Sequence, residues 1–202
     1  MTKYALFFTM LFSLFVGTAT ADTLTFTGTG SNSVNGVYTY PYYFSVNGSA
    51  TQETLMCLSY DNEITTGESW RVYDVAITTN SEKESAWLYN DAGLNSTNDV
   101  NDNLAAWSLF SNNVPTTPAS DIQLAKAIAG VNTESPDFWN KFVIYVPDGD
   151  VISDPSLLGP PQIFVGLNQT PEPNSLMLLG TGLLLLSSLK YVPKIIAIKT
   201  NR

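Results

Sequence analysis

Histidine is missing from all 202 residues, and cysteine occurs once, as Cys57. Without histidine there is no Ser-His-Asp or Cys-His nucleophile system and no imidazole metal ligand. One cysteine excludes an intrachain disulfide, so the fold rests on burial. Cations are scarce as well. Between Asp22 and Pro173 eighteen Asp and Glu face only Arg71, Lys83, Lys126 and Lys141, a net charge of −14. A body that acidic repels phosphate backbones and excludes nucleic acid as a partner.

The hydrophobic runs lie at the two ends. Met1–Ala21 has Lys3, an apolar stretch from Tyr4 to Val16, and Ala19-Thr20-Ala21 before Asp22. That pattern predicts a secretory signal (residues 1–21) cut by signal peptidase between Ala21 and Asp22. The residue directly after the cut is Asp22 and not cysteine, which excludes a lipoprotein anchor. A retained N-terminal anchor is the alternative. At the other end, Leu176–Leu189 would make a helix about 21 Å long at 1.5 Å per residue. A bilayer core is about 30 Å thick, so this span is short. Lys190, Lys194, Lys199 and Arg202 follow it and would hold the C-terminus in the cytoplasm. A buried hairpin or helix of the body is the alternative.

Between these ends, residues 22–169 read as one α+β domain, antiparallel and β-rich, with a helical insert. Val34, Tyr38, Tyr40, Tyr42, Phe44 and Val46 share one parity and predict a half-buried strand, with Pro41 marking an edge or bulge. Further strands are expected at Asp22–Gly28, Thr54–Tyr60, Ser69–Thr78, Lys141–Val146 and Gln162–Val165, with a turn at Asn47-Gly48. Four helices are expected. A capping box Ser81-Glu82-Lys83-Glu84 opens the first and Gly93 ends it. Asn98–Asn112 forms the second, with Val100, Leu104, Trp107 and Ser111 on one face. The third starts at Thr117-Pro118 and stops at Gly130, and a short fourth starts at Ser135-Pro136.

Candidate sites compete with plainer roles. Asp99, Asn101, Asp102 and Asn103 match half of a calcium loop, but Leu104 and Phe110 occupy the required Gly and Glu places. Helix capping by Asn98 or Asp99 fits them better. Asp148-Gly149-Asp150 with Asp154 is an oxygen-rich loop or an ordinary turn. Glu63 and Glu68 could act as paired glycosidase carboxylates, given the right separation. Tyr38, Tyr40, Tyr42, Trp70, Trp87 and Trp107 offer surfaces for sugars, or simply pack.

Two stretches carry resemblances. Pro171-Glu172-Pro173, Asn174-Ser175 and Leu178-Leu-Gly-Thr-Gly-Leu-Leu184 make residues 170–202 resemble the PEP-CTERM sorting signal of Gram-negative bacteria. The resemblance implies an exosortase as partner, cleavage near Pro171–Pro173, transient inner-membrane insertion, and export with exopolysaccharide. That family ends in a tight arginine cluster, whereas lysines are spread out here. The second is Met56-Cys57-Leu58 with Asn103-Leu-Ala-Ala-Trp107, which is similar to thioester domains of bacterial surface adhesins. There a strand cysteine links to a glutamine four residues before an aromatic, making a covalent trap for amines. Asn103, one methylene shorter, stands at that glutamine's place; a buried Cys57 acting as a small hydrophobe is the alternative. The expectation is an exported, non-enzymatic surface or matrix protein without cofactor, associated with exopolysaccharide or biofilm. An envelope hydrolase and an adhesin with a thioester-like site are the rivals.

Overall fold

The structure is a computed structural model describing residues 21–94, 97–151 and 162–168. The predicted signal, residues 1–20 of it, and the sorting tail with Pro171, Glu172 and Pro173 lie outside the described residues. Ala21 is followed directly by the first strand.

Alternation builds the wall. β1 (Asp22–Thr29) buries Leu24 and Phe26. Two short strands, β2 (Ser33–Val34) and β3 (Val37–Tyr38), pair as a separate hairpin. β4 (Tyr42–Val46) then buries Tyr42, Phe44 and Val46, while Tyr43 and Ser45 stay half-buried. β5 (Gln52–Cys57), β6 (Ser69–Ala76), β7 (Phe142–Val151) and β8 (Phe164–Leu167) complete the set. All pairings among the six long strands are antiparallel, and they close a barrel in the order β1-β4-β5-β8-β7-β6. Closure removes the exposed edges that otherwise invite strand addition.

The single strand expected over Val34–Val46 is broken. Asn35 and Gly36, at φ 51° and 84°, reverse the chain between β2 and β3, and the Tyr40–Pro41 bond is cis. Period two therefore holds only within β4. Tyr38 turns outward at 56 % exposure, whereas Tyr40 is buried. Asn47 and Gly48, both at positive φ, form the expected turn, closed by Ser49 N–H donating to Val46 O at 2.9 Å.

The helical insert lies between β6 and β7: α1 (Asn80–Leu94), α2 (Asp99–Ser108), α3 (Pro118–Val131) and α4 (Pro136–Trp139). The first cap sits two residues earlier than expected. Glu82 Oε2 accepts from the N–H of Thr78 and Thr79 at 2.8 Å, and Glu82 N–H donates to Thr79 Oγ1 at 3.3 Å. Thr79, not Ser81, is thus the capping hydroxyl. Gly93 lies inside α1 rather than ending it. Thr117 caps α3 reciprocally with Ser120, and Pro118 takes the first helical position. Gly130 is not the stop, since α3 continues to Val131. A Cβ there would lie 2.2 Å from Trp87 Nε1, so this glycine lets α1 and α3 meet.

Two buried clusters result. One fills the barrel with Leu24, Phe44, Leu55, Cys57, Trp70, Tyr145 and Phe164, joined by Leu104 and Trp107 of α2. The other lies between wall and helices and includes Met56, Leu58, Leu88, Ala106, Ile144 and Val165. Neighbours on β5, β7 and β8 alternate between the clusters, so these strands are buried on both faces. That is why they read as unbroken apolar runs. Within the barrel, Phe44 meets Phe164 edge-on at 4.7 Å.

Candidate functional site

The β5–β8 pairing sets Cys57 opposite Phe164 and Met56 opposite Val165. Leu58 N–H continues the ladder to Ile163 O at 2.8 Å, and Ile163 N–H donates to Ser59 Oγ at 3.0 Å. This brings Gln162, one residue further along, beside Cys57 although 105 positions separate them. Both residues are buried, at 1 % and 3 % exposure.

The thiol has two acceptors within reach. Cys57 Sγ lies 3.0 Å from Gln162 Oε1 and 3.3 Å from Ser59 O, so its one hydrogen has its nearer partner in the carboxamide. Ser59 N–H points back at the sulfur at 3.4 Å. The other end of the carboxamide is held too, because Gln162 Nε2 donates to Asn62 O. With oxygen and nitrogen both engaged, the Gln162 carboxamide is held in one orientation beside the thiol.

Burial pushes the Cys57 thiol up to about 12, against smaller opposing contributions from Ser59 N–H and the Trp107 indole. The group is a neutral thiol at neutral pH. Trp107 Nε1 is buried and closes no hydrogen bond of good geometry among the described residues. The Tyr42 phenol is likewise pushed up, by burial and then by nearby Cys57.

Asn103 is beside Cys57, but not at its sulfur. Its Nδ2 donates to the backbone Cys57 O at 3.0 Å, and its Oδ1 accepts from Tyr40 N–H at 2.7 Å. It ties β5, α2 and the segment before β4 together as a structural clamp. The side chain at the thiol is Gln162, which the sequence marks only as the start of a strand. A lone glutamine entering the apolar run Ile163-Phe-Val165 was the signal for it; only the barrel pairing reveals its neighbour.

A cavity of about 520 Å³ reaches Gln162, while Cys57 lies behind it and is not among the lining residues. Gln162, Tyr42, Tyr60, Asn62 and Ile64 line it together with Tyr38, Asp61 and Glu63. Its only charged lining groups among the described residues are Asp61 and Glu63, and Asp61 Oδ2 accepts from Ser111 Oγ at 2.9 Å.

The remaining predicted sites fare differently. Glu63 lines the cavity, while Glu68 is buried and is not among its lining residues. Trp70 and Trp107 are core residues, Tyr40 packs edge-on against Tyr89, and Trp87 packs on Gly130. Only Tyr38 keeps an exposed ring. Asp148 and Gly149 belong to an irregularity in β7, between the pairs Trp70–Val151 and Val72–Pro147, rather than to a turn. Asp154 lies outside the described residues. Asn98 makes no side-chain cap on α2; it donates instead to Asp91 Oδ2 at 3.4 Å. Asp99 Oδ2 accepts from Asn32 at 3.5 Å, and both oxygens of Asp102 are buried without a partner among the described residues. Among these residues no group of three or more Cys, Asp or Glu is arranged to hold a metal ion. Nor is any helix long and apolar enough to cross a membrane. Comparison of the chain with protein-family models, with curated proteins and with solved structures gave no match.

Proposed function

We propose that this chain is an exported surface or matrix protein, delivered by its signal and its exosortase-type tail, that attaches covalently through a Cys57–Gln162 thioester. The observation carrying this reading is the 3.0 Å approach of Cys57 Sγ to Gln162 Oε1 in a buried site. The resemblance to thioester domains extends to the strand cysteine alone, since Asn103, at the family's glutamine place, is a backbone clamp and the acyl role falls to Gln162.

The chemistry balances without a co-reactant. Cys57 Sγ adds to the Gln162 acyl carbon, the C–N bond breaks, and the thiol hydrogen leaves with the nitrogen as ammonia. Exchange of an amide for a thioester is uphill; fixed approach speeds it, and escape of ammonia draws it forward. An incoming primary amine then attacks the same carbon, forms an amide and restores the Cys57 thiol. Each molecule reacts once, so the protein is a trap rather than an enzyme. The sulfur side of the thioester is buried, and a partner reaches it from the cavity that Gln162 lines. The hydrolase reading draws no comparable support, because Glu68 is buried and is not among the residues lining the cavity that Glu63 lines.

Intact-mass measurement on the secreted protein tests this. The wild type is expected about 17 Da light, the mass of ammonia, and Cys57→Ala and Gln162→Ala are expected at their full masses. A wild type at full mass that takes up no methylamine overturns the reading.

A further inference from the structure

We propose that the cavity over Gln162 receives an amino sugar, a pyranose carrying a free primary amine. This deepens the thioester reading and rests on it. Three observations converge.

The first is the absence of a base. A hydroxyl acceptor needs a group that titrates near neutrality to take its proton; the chain has no histidine, and the two carboxyls that burial raises toward neutrality, Asp74 and Asp102, do not line the cavity. An amine needs none, provided that it attacks unprotonated. Lysine, at about 10.4, is almost wholly ammonium at neutral pH, whereas an amine beside electron-withdrawing oxygen-bearing carbons lies near the α-amino value of about 8. At neutral pH the free-base fraction of the second exceeds that of the first roughly two-hundredfold.

The second is charge. The cavity's charged lining groups, Asp61 and Glu63, are both carboxylates, so it turns away acidic acceptors and draws in an amine that can arrive charged and still shed its proton readily. The third is shape. At about 520 Å³ the cavity is wider than a slim alkylamine stem requires. Its wall combines the rings of Tyr38, Tyr42 and Tyr60 with Asn62 and the two carboxylates, which suits a ring with one apolar face and a hydroxylated rim.

The test uses the full secreted protein with methylamine, glucosamine, N-acetylglucosamine and Nα-acetyl-lysine, each followed by adduct mass. Glucosamine is expected to react at least tenfold faster than Nα-acetyl-lysine at pH 7, beyond their ratio on a free alkyl thioester. N-acetylglucosamine should give no adduct. Tyr38→Ala, at an exposed ring, should lower the glucosamine-to-methylamine rate ratio about fivefold. Methylamine uptake without that glucosamine preference, or an unchanged ratio in Tyr38→Ala, overturns the amino-sugar assignment alone. No methylamine uptake by the wild type overturns the thioester reading and this inference with it.

Discussion

Asp102 is the residue whose surroundings suit its charge least. It is fully buried at the start of α2, and both oxygens are without hydrogen-bond partners among the described residues. Burial first, then Asp91 and Asp99, push its carboxyl up to about 8, and Lys126 offsets only part of this. In the unfolded chain the same group titrates at about 3.9. The folded state therefore holds a proton that the unfolded state releases, and stability falls as pH rises from about 4 to about 8. Asp74, raised to about 6 chiefly by burial, acts in the same direction but saturates earlier. Replacing Asp102 with Asn is expected to raise Tm, by little at pH 4 and by most above pH 8. Thermal melts across pH 4–9 check this; a gain that does not grow with pH would contradict it. Asn103, next in the chain, shows the opposite case: a buried amide with both ends matched to backbone groups.

At the scale of elements, most of the fold was legible. Strand positions, the four helices and the Thr117-Pro118 start were readable because they follow local rules of period and capping. What was missed depended on neighbours distant in the chain. Gly93 and Gly130 look like stops in sequence, yet Gly130 is required by Trp87 on another helix. The run Val34–Val46 has one parity on paper, but Asn35-Gly36 reverses it and sends Tyr38 and Tyr40 to different places. Gln162 was invisible as a site because its partner belongs to β5. The capping of α1 gives an expectation at this scale. Partial burial raises the Glu82 carboxyl, but hydrogen bonds from Thr79 and Thr78 outweigh it and hold it below its ordinary value. Its contribution is present above the unfolded pKa and lost as pH falls through the folded one. Glu82→Ala should cost about 1 kcal/mol, or about 3 °C in Tm, at pH 7. An unchanged Tm would assign α1's stability to packing alone.

For the molecule as a whole, the division is between a body judged on its own and two terminal segments read as addresses. If Pro171–Pro173 directs processing, Glu172→Ala should leave the secreted body unchanged but slow its release, with uncleaved chain accumulating in the membrane fraction. Immunoblots of cell and medium fractions measure this. Release at the wild-type rate would detach the tail from the sorting role.

Barrel order adds a matter of timing. β8 is the last strand among the described residues, yet it is inserted between β5 and β7. A nascent chain ending anywhere before Phe164 has a gap in its wall, with Cys57 facing that gap. Cys57 and Gln162 are therefore kept apart until nearly the whole body has been synthesised, and any bond between them can be made only in a finished molecule.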